Sequence, residues 1–297
     1  MTMWRGLRRR EAIDGFLFIS PWIIGFACFG LGPYLFSVFL SLSRWDMMRP
    51  MAFVGLGNYE GMLTQDPLFW KALWNTLVYT LLAVPAGLAV ALGLALLLNQ
   101  QVRGVWVFRT IFYLPAVVSG IAVLLLWKWI FNPDLGLLNA LLRALGMADP
   151  PGWLSSPFWA KPALAIMGLW GVGGAMLIFL AGLQGIPRSL YEAATIDGAN
   201  RRQQFLFVTL PMISPVMFFN LVMGFIASFQ VFMQAYVMTL GGPQDATMFY
   251  VLHLFFQAFR YFRMGYACAL AWVLFLIILG VTLLNFRVSR HWVYYEN

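Results

Sequence analysis

An all-α polytopic membrane protein with six transmembrane helices is the fold class this 297-residue sequence predicts, and three observations carry it. Charged residues make up 10% of the chain and apolar ones 62%, whereas a soluble domain carries about 25% charge. A chain this poor in charge, with a mean hydropathy of +0.79, cannot cover a globule with water-compatible surface. Six stretches free of Asp, Glu, Lys and Arg reach about 18 residues or more, enough to cross a bilayer. They are 15–43, 72–102, 110–127, 162–187, 203–244 and 264–286. The arginines sit in short clusters between these runs, so the net charge of +8 reads as membrane topology and not as nucleic-acid binding.

The first run follows Arg8-Arg9-Arg10 and reaches Ser43. That is well beyond the roughly 7–15 residues of a signal-peptide core, so an uncleaved first span is expected at 15–43. The second span is expected at 73–98. The third run is the shortest; Lys128 at its end can snorkel to the interface, which extends the span to 110–131. The fourth is expected at 162–185. The fifth run is too long for one helix. It begins with Gln203, Gln204, Pro211 and Pro215 and ends at the breaker Gly241-Gly242-Pro243. One membrane helix is expected at 214–240, behind a cytoplasmic segment; two spans within the run is the competing count. The sixth span is expected at 264–286. With the N-terminus inside, Arg5, Arg8, Arg9, Arg10, Arg103, Arg109, Arg188, Arg201, Arg202, Arg287 and Arg290 fall in short cytoplasmic segments, against eight basic residues spread over longer outer loops. That bias places both termini in the cytoplasm.

Several activities lack their residues. No carboxylate lies in the six runs, which argues against a carrier coupled to protons or ions. None of the three lysines, Lys71, Lys128 and Lys161, follows a phosphate-binding glycine loop, so this chain has no ATP site of that kind. Cys28 and Cys268 lie far apart in apolar runs and read as small buried hydrophobes. His253 and His291 are isolated, and no metal spacing exists. A polytopic protein without a motor either conducts passively or borrows one.

The segment 187–211 is the most informative. Pro187 is tolerated at a helix start. Ser189 with Glu192 three residues on reads as a capping box, and Ala193 and Ala194 are strong helix formers without bulk. Gly198 permits the positive φ that ends a short helix. This is a helix–turn–helix lying against the membrane, either a plain connector or a docking element. Its pattern is Glu192-Ala193-Ala194, three residues, Gly198, nine residues, then Val208-Thr209-Leu210-Pro211. That pattern resembles the signature of permease subunits of ATP-binding-cassette importers, with Val208 in place of the usual Ile. The resemblance implies a type I importer permease fold and a coupling helix at Tyr191, Glu192, Ala193, Ala194, Asp197, Gly198, Leu210 and Pro211 that docks on a separate ATPase.

The resemblance extends over most of the chain. Phe18-Ile-Ser-Pro21-Trp22, Gly32-Pro33-Tyr34, Phe53-Val-Gly-Leu-Gly-Asn58-Tyr59, Asn75-Thr76, Phe112-Tyr-Leu-Pro115, Trp129-Ile-Phe-Asn132 and Gly241-Gly242-Pro243 are similar to carbohydrate permeases of the maltose and glycerol-phosphate type. The chain departs from the larger maltose permease subunit in lacking two N-terminal spans and a large outer insertion. Independently of the resemblance, Asn220, Gly224, Ser228, Val231 and Gln234 recur at helical spacing in the fifth span and read either as a cavity wall or as a helix contact. The resemblance favours the cavity and adds Leu169, Trp170, Gly171 and Ala227 as substrate positions. Trp170 is either a stacking surface or a packing residue. Arg260 and Arg263 either anchor to lipid head groups or meet an acidic binding protein.

The function so implied is the membrane subunit of a sugar importer in a bacterial or archaeal inner membrane. It would catalyse no bond chemistry and hold no cofactor, ATP and Mg being bound by the partner. The implied partners are a second related permease, two ATPase subunits and an extracytoplasmic solute-binding protein. Glycerol phosphate or a polyol is the alternative cargo, and an ATP-independent carrier or channel the alternative class.

Overall fold

The computed structural model describes residues 2–100, 103–118 and 120–294, with the side chains of residues 2–10 and 12 excepted. Val102 and Ser119, in the second and third uncharged runs, and the side chains of Arg5, Arg8, Arg9 and Arg10 therefore lie outside the described residues.

In chain order the helices are α1 (Thr2–Gly25), α2 (Gly32–Ser41), α3 (Gly57–Thr64), α4 (Pro67–Leu98), α5 (Val105–Val117), α6 (Gly120–Ile130), α7 (Leu137–Ala144), α8 (Ala160–Trp170), α9 (Gly173–Gln184), α10 (Arg188–Ile196), α11 (Arg201–Gln204), α12 (Leu210–Phe229), α13 (Met233–Met238), α14 (Tyr250–Phe255) and α15 (Met264–Ser289). Wider π-helical turns at Phe26–Leu31 and Phe205–Thr209 join α1 to α2 and α11 to α12 without a break. Two-residue strands, β1 (Ser43–Arg44) and β2 (Ala52–Phe53), pair antiparallel. Among the described residues, four helical runs are long and apolar enough to cross a membrane: Ile13–Ser41, Pro67–Leu98, Arg201–Phe229 and Met264–Ser289. Two bent pairs, α5 with α6 and α8 with α9, bring the number to six if each is one span.

The chain forms two compact units. One comprises residues 1–65 and 255–273, the other 66–254 and 274–297. In the first, the Asn58 amide donates to the carbonyls of Ser41 and Ser43 at 2.8 and 2.9 Å, and the Tyr59 hydroxyl donates to Ser41 Oγ at 2.8 Å. The turn after the first span is thereby tied back onto its own end. Cys28 in this unit is exposed, which corrects the reading of it as a buried hydrophobe. It sits in the π-helical turn Phe26–Leu31, none of whose described residues is buried.

The second unit is built on α4, α9 and α12. Their seam is Ala91, Ala95, Leu98, Met176, Phe179, Leu180, Leu183 and Ile213, all buried. Alanines on α4 let the larger side chains of α9 close in, as small residues do between membrane helices. Gly173 serves the same end, since a Cβ there would lie 2.5 Å from the Phe112 carbonyl oxygen of α5.

Three boundaries differ from the sequence expectation. The fifth membrane helix runs from Arg201 to Phe229 rather than over 214–240. Pro211 lies inside this run, directly after the π-helical turn Phe205–Thr209, and does not divide the helix from the segment before it. Only one long helix occupies the run 203–244; the chain beyond Gln230 turns into the short α13. The third and fourth spans are each broken, the fourth by 52° between Trp170 and Gly173.

Candidate functional site

Two features stand out in the second unit, an exposed helical loop and a cavity. The loop is α10, a turn and α11. Helix α10 starts behind Pro187, which has extended geometry and no side-chain cap. The expected capping box at Ser189 is therefore absent, because the helix begins at Arg188 and Ser189 lies inside its first turn. The capping box of this loop is instead at α11, where Asn200 Oδ1 accepts the Gln203 amide at 3.0 Å and Gln203 Oε1 accepts the Asn200 amide at 2.8 Å. Gly198 ends α10 at φ +79°. The amide of Ala199 reaches the Ala194 carbonyl at 2.9 Å and that of Gly198 the Thr195 carbonyl at 3.0 Å, which satisfies the last carbonyls of the helix.

One face of α10 is anchored. The Tyr191 and Thr209 hydroxyls share a hydrogen bond at 2.9 Å, and the Gln204 side chain donates to Thr195 Oγ1 and the Ala199 carbonyl. Ala194 is half-buried on that side. The other face carries Glu192, Ala193, Asp197 and Gly198, all exposed, around an Ile196 that is 86% exposed. An apolar tip flanked by two acidic side chains, on a helix closed at its C-terminus by Gly198, is suited to insertion into a partner's groove. Leu210 and Pro211 are not part of this tip. They open α12 next to Thr209, at the root of the loop.

The cavity is about 460 Å³ and lies among α4, α8, α12 and residues 230–234. Of the nine sequence-predicted substrate positions, Leu169, Asn220, Gly224, Ala227, Ser228, Val231 and Gln234 line it. Trp170 and Gly171 line an adjoining cavity of about 400 Å³ at the two helix breaks, which also borders Gln234. Trp170 stands edge-on to Trp127, with ring centroids 6.2 Å apart. The Ser228 hydroxyl is committed to Thr80 Oγ1 at 2.7 Å, which clamps α12 to α4. Asn220 donates to the Val216 carbonyl at 3.0 Å. Among the described residues, no Asp, Glu, Lys, Arg or His lines the 460 Å³ cavity.

The sequence reading missed the α4 wall. Tyr79, Ala83 and Gly87 line the cavity at i, i+4 and i+8. The same small-and-polar spacing that marks α12 was available there, inside a run read only as a span. It also missed Gln230, just past the end of α12.

The chain is similar to known proteins over nearly its whole length. Residues 83–292 match the family described as binding-protein-dependent transport system inner membrane component. The chain is 44% identical over 292 residues to the probable ABC transporter permease protein YesP of Bacillus subtilis, covering 97% of this chain and 94% of that one. It is 38% identical over 290 residues to the lactose transport system permease protein LacF of Rhizobium radiobacter, covering 96% of each. Among solved structures it superposes with a TM-score of 0.80 and 24% identity, over 98% of this chain and 99% of the other, on a chain of a bacterial ABC transporter involved in the import of the acidic polysaccharide alginate. At that identity the likeness is one of fold.

Proposed function

Because this chain belongs to the family of binding-protein-dependent transport system inner membrane components, as a multi-pass permease subunit with the type I importer fold, we propose that its cargo is a sugar and that residues 187–211 couple it to a separate ATPase. The lactose assignment of LacF supports the sugar, and so does a cavity walled by hydroxyl, amide and aliphatic groups without an ionised side chain. Glycerol phosphate would call for cations in that wall, so a neutral cargo is the better reading.

One observation carries the coupling. A single unbroken helical run, Arg201–Phe229, joins the exposed loop at one end to the cavity wall at Asn220, Gly224, Ala227 and Ser228 at the other. Displacement of the loop is therefore displacement of the wall. In the working arrangement both termini and the 187–211 loop are cytoplasmic, and the chain pairs with a second related permease. Of two ATPase subunits, which bind ATP and Mg, one receives Glu192, Ala193, Ile196, Asp197 and Gly198. An extracytoplasmic solute-binding protein delivers the cargo at the opposite face. ATP-driven closure of the ATPases moves the loop and turns the cavity outward.

The test is ATPase activity and sugar uptake by the reconstituted complex carrying Glu192→Lys or Gly198→Asp. The first reverses the charge beside the apolar tip; the second places a side chain at φ +79°. Stimulation by loaded binding protein is expected to collapse in both. Wild-type stimulation in both variants would reduce the loop to a connector.

A further inference from the structure

Tyr79 on α4 is 6% exposed, yet among the described residues its hydroxyl has no hydrogen-bond partner. Buried phenols are usually hydrogen-bonded. Here the oxygen lies against Gly168, where a Cβ would come within 3.9 Å of it, and the side chain borders the 460 Å³ cavity. Asn220 on α12 is 7% exposed and lines the same cavity. Its amide nitrogen is used within α12 and its Oδ1 accepts from no described protein group, so the acceptor is free. The hydroxyl of Ser228, by contrast, is spent on Thr80.

These two free groups lie at different depths. Thr80 meets Ser228, and Val84 lies beside Gly224, so α4 and α12 run antiparallel in register. Asn220 is eight residues from Ser228, about 12 Å along the helix. Tyr79 is thus at the outer level, with the amides of Gln230 and Gln234 contributed by the segment beyond α12, and Asn220 at the inner level. A ligand with hydroxyls along its length and no charge satisfies both.

Resting on the sugar reading above, we propose that Tyr79 is a specificity-determining contact of the transport site. Its phenol exchanges a hydrogen bond with one hydroxyl of an uncharged sugar at the outer level, and Asn220 Oδ1 accepts from another further in. The glycine at 168 keeps the space beside the phenol open.

The experiment is uptake into proteoliposomes by the full complex with its binding protein. Glucose, maltose and lactose serve as neutral probes and glucuronic acid as the anionic one. Monodeoxy analogues of whichever neutral probe the wild type moves complete the set. Tyr79→Phe is expected to lower uptake of the parent sugar per ATP hydrolysed by about three- to tenfold, the worth of one hydrogen bond. For one deoxy analogue, the variant and the wild type should be equal, because the hydroxyl that Tyr79 meets is already gone. Tyr34→Phe, an exposed phenol in α2, should change nothing. An equal penalty on the parent sugar and every deoxy analogue would make Tyr79 a packing residue and overturn the proposal. No penalty at all would do the same, and wild-type uptake of a neutral sugar would leave the sugar reading standing in either case. Preference for glucuronic acid, or uptake of no neutral probe by the wild type, would overturn both.

Discussion

Gly198 and Gly173 show two ways in which one residue controls this structure. At Gly198 the demand is conformational, since φ +79° ends α10 and aims Ile196 outward. That role was legible from sequence, because a glycine after a short helix former has one common use. At Gly173 the demand is spatial. A Cβ there would meet the Phe112 carbonyl oxygen at 2.5 Å and Tyr113 Cα at 2.9 Å, both backbone atoms that cannot swing aside. Nothing around Gly173 in the sequence announces this, because its neighbour lies some sixty positions earlier. Gly174 is the natural control, with open space where its Cβ would be. Gly173→Ala is expected to destabilise by about 1–3 kcal/mol, the usual cost of overpacking, and Gly174→Ala to be neutral or slightly stabilising. Thermal unfolding of the purified complex in detergent checks the pair. Equal melting temperatures would show that α5 and α9 yield more readily than packed backbones do.

At the scale of elements, the loop between α13 and α14 is the clearest case of residues whose motif is visible but whose purpose is not. Asn75-Thr76 and Gly241-Gly242-Pro243 are each recognisable in sequence, about 170 positions apart. In the structure Asn75-Thr76 holds the segment that follows Gly241-Gly242-Pro243. Asn75 donates to the carbonyls of Asp245 and Met248 at 2.7 and 3.2 Å, and Thr76 Oγ1 accepts the Tyr250 amide at 2.9 Å. Lys161 on α8 donates to Asn75 Oδ1 and the Ala246 carbonyl, and Lys71 to the Gln244 carbonyl and the Asp245 carboxylate. Leu240, Gln244 and Asp245 adopt φ of +51°, +48° and +58°, a strain that persists because these donors over-determine the loop. The buried His253 and the half-buried Asp66, 2.8 Å apart, pin the next helix to the start of α4. Long-range pairing of this kind has no periodicity and no local signature, which is why His253 reads as isolated in sequence. Asn75→Ala takes a donor from both carbonyls; that of Asp245 still accepts the Met248 amide at 3.1 Å, while that of Met248 loses its side-chain partner at about 1–3 kcal/mol. It is expected to open residues 241–249 to proteinase K, with Lys161→Met giving a weaker form of the same effect. Resistance equal to wild type in both would show that the turn holds itself.

For the molecule as a transporter, hydropathy revealed where chain crosses lipid but not where it bends while crossing. The runs 110–131 and 162–185 are mainly apolar, and apolarity alone does not distinguish a straight helix from one broken at Gly171. The breaks place Trp170 and Gly171 at a second cavity beside the first, so the nine positions divide between two adjoining spaces. What spans loop and cavity without interruption is 201–229, and its junction at Phe205–Thr209 is a π-helical segment braced by the Tyr191–Thr209 hydrogen bond. If this run transmits force, its stiffness matters more than any one contact at either end. Two glycines inserted between Thr209 and Leu210 would keep α10 and its acidic, apolar-tipped face while softening the shaft. ATP hydrolysis stimulated by loaded binding protein should then persist at a reduced level, while sugar accumulated per ATP falls severalfold. Compensating Tyr191→Phe in the unextended chain should give a milder loss of the same kind, since it removes the brace and leaves the shaft. An insertion that lowers hydrolysis and uptake in strict proportion would show that the run only tethers the loop, and that the wall moves by another route.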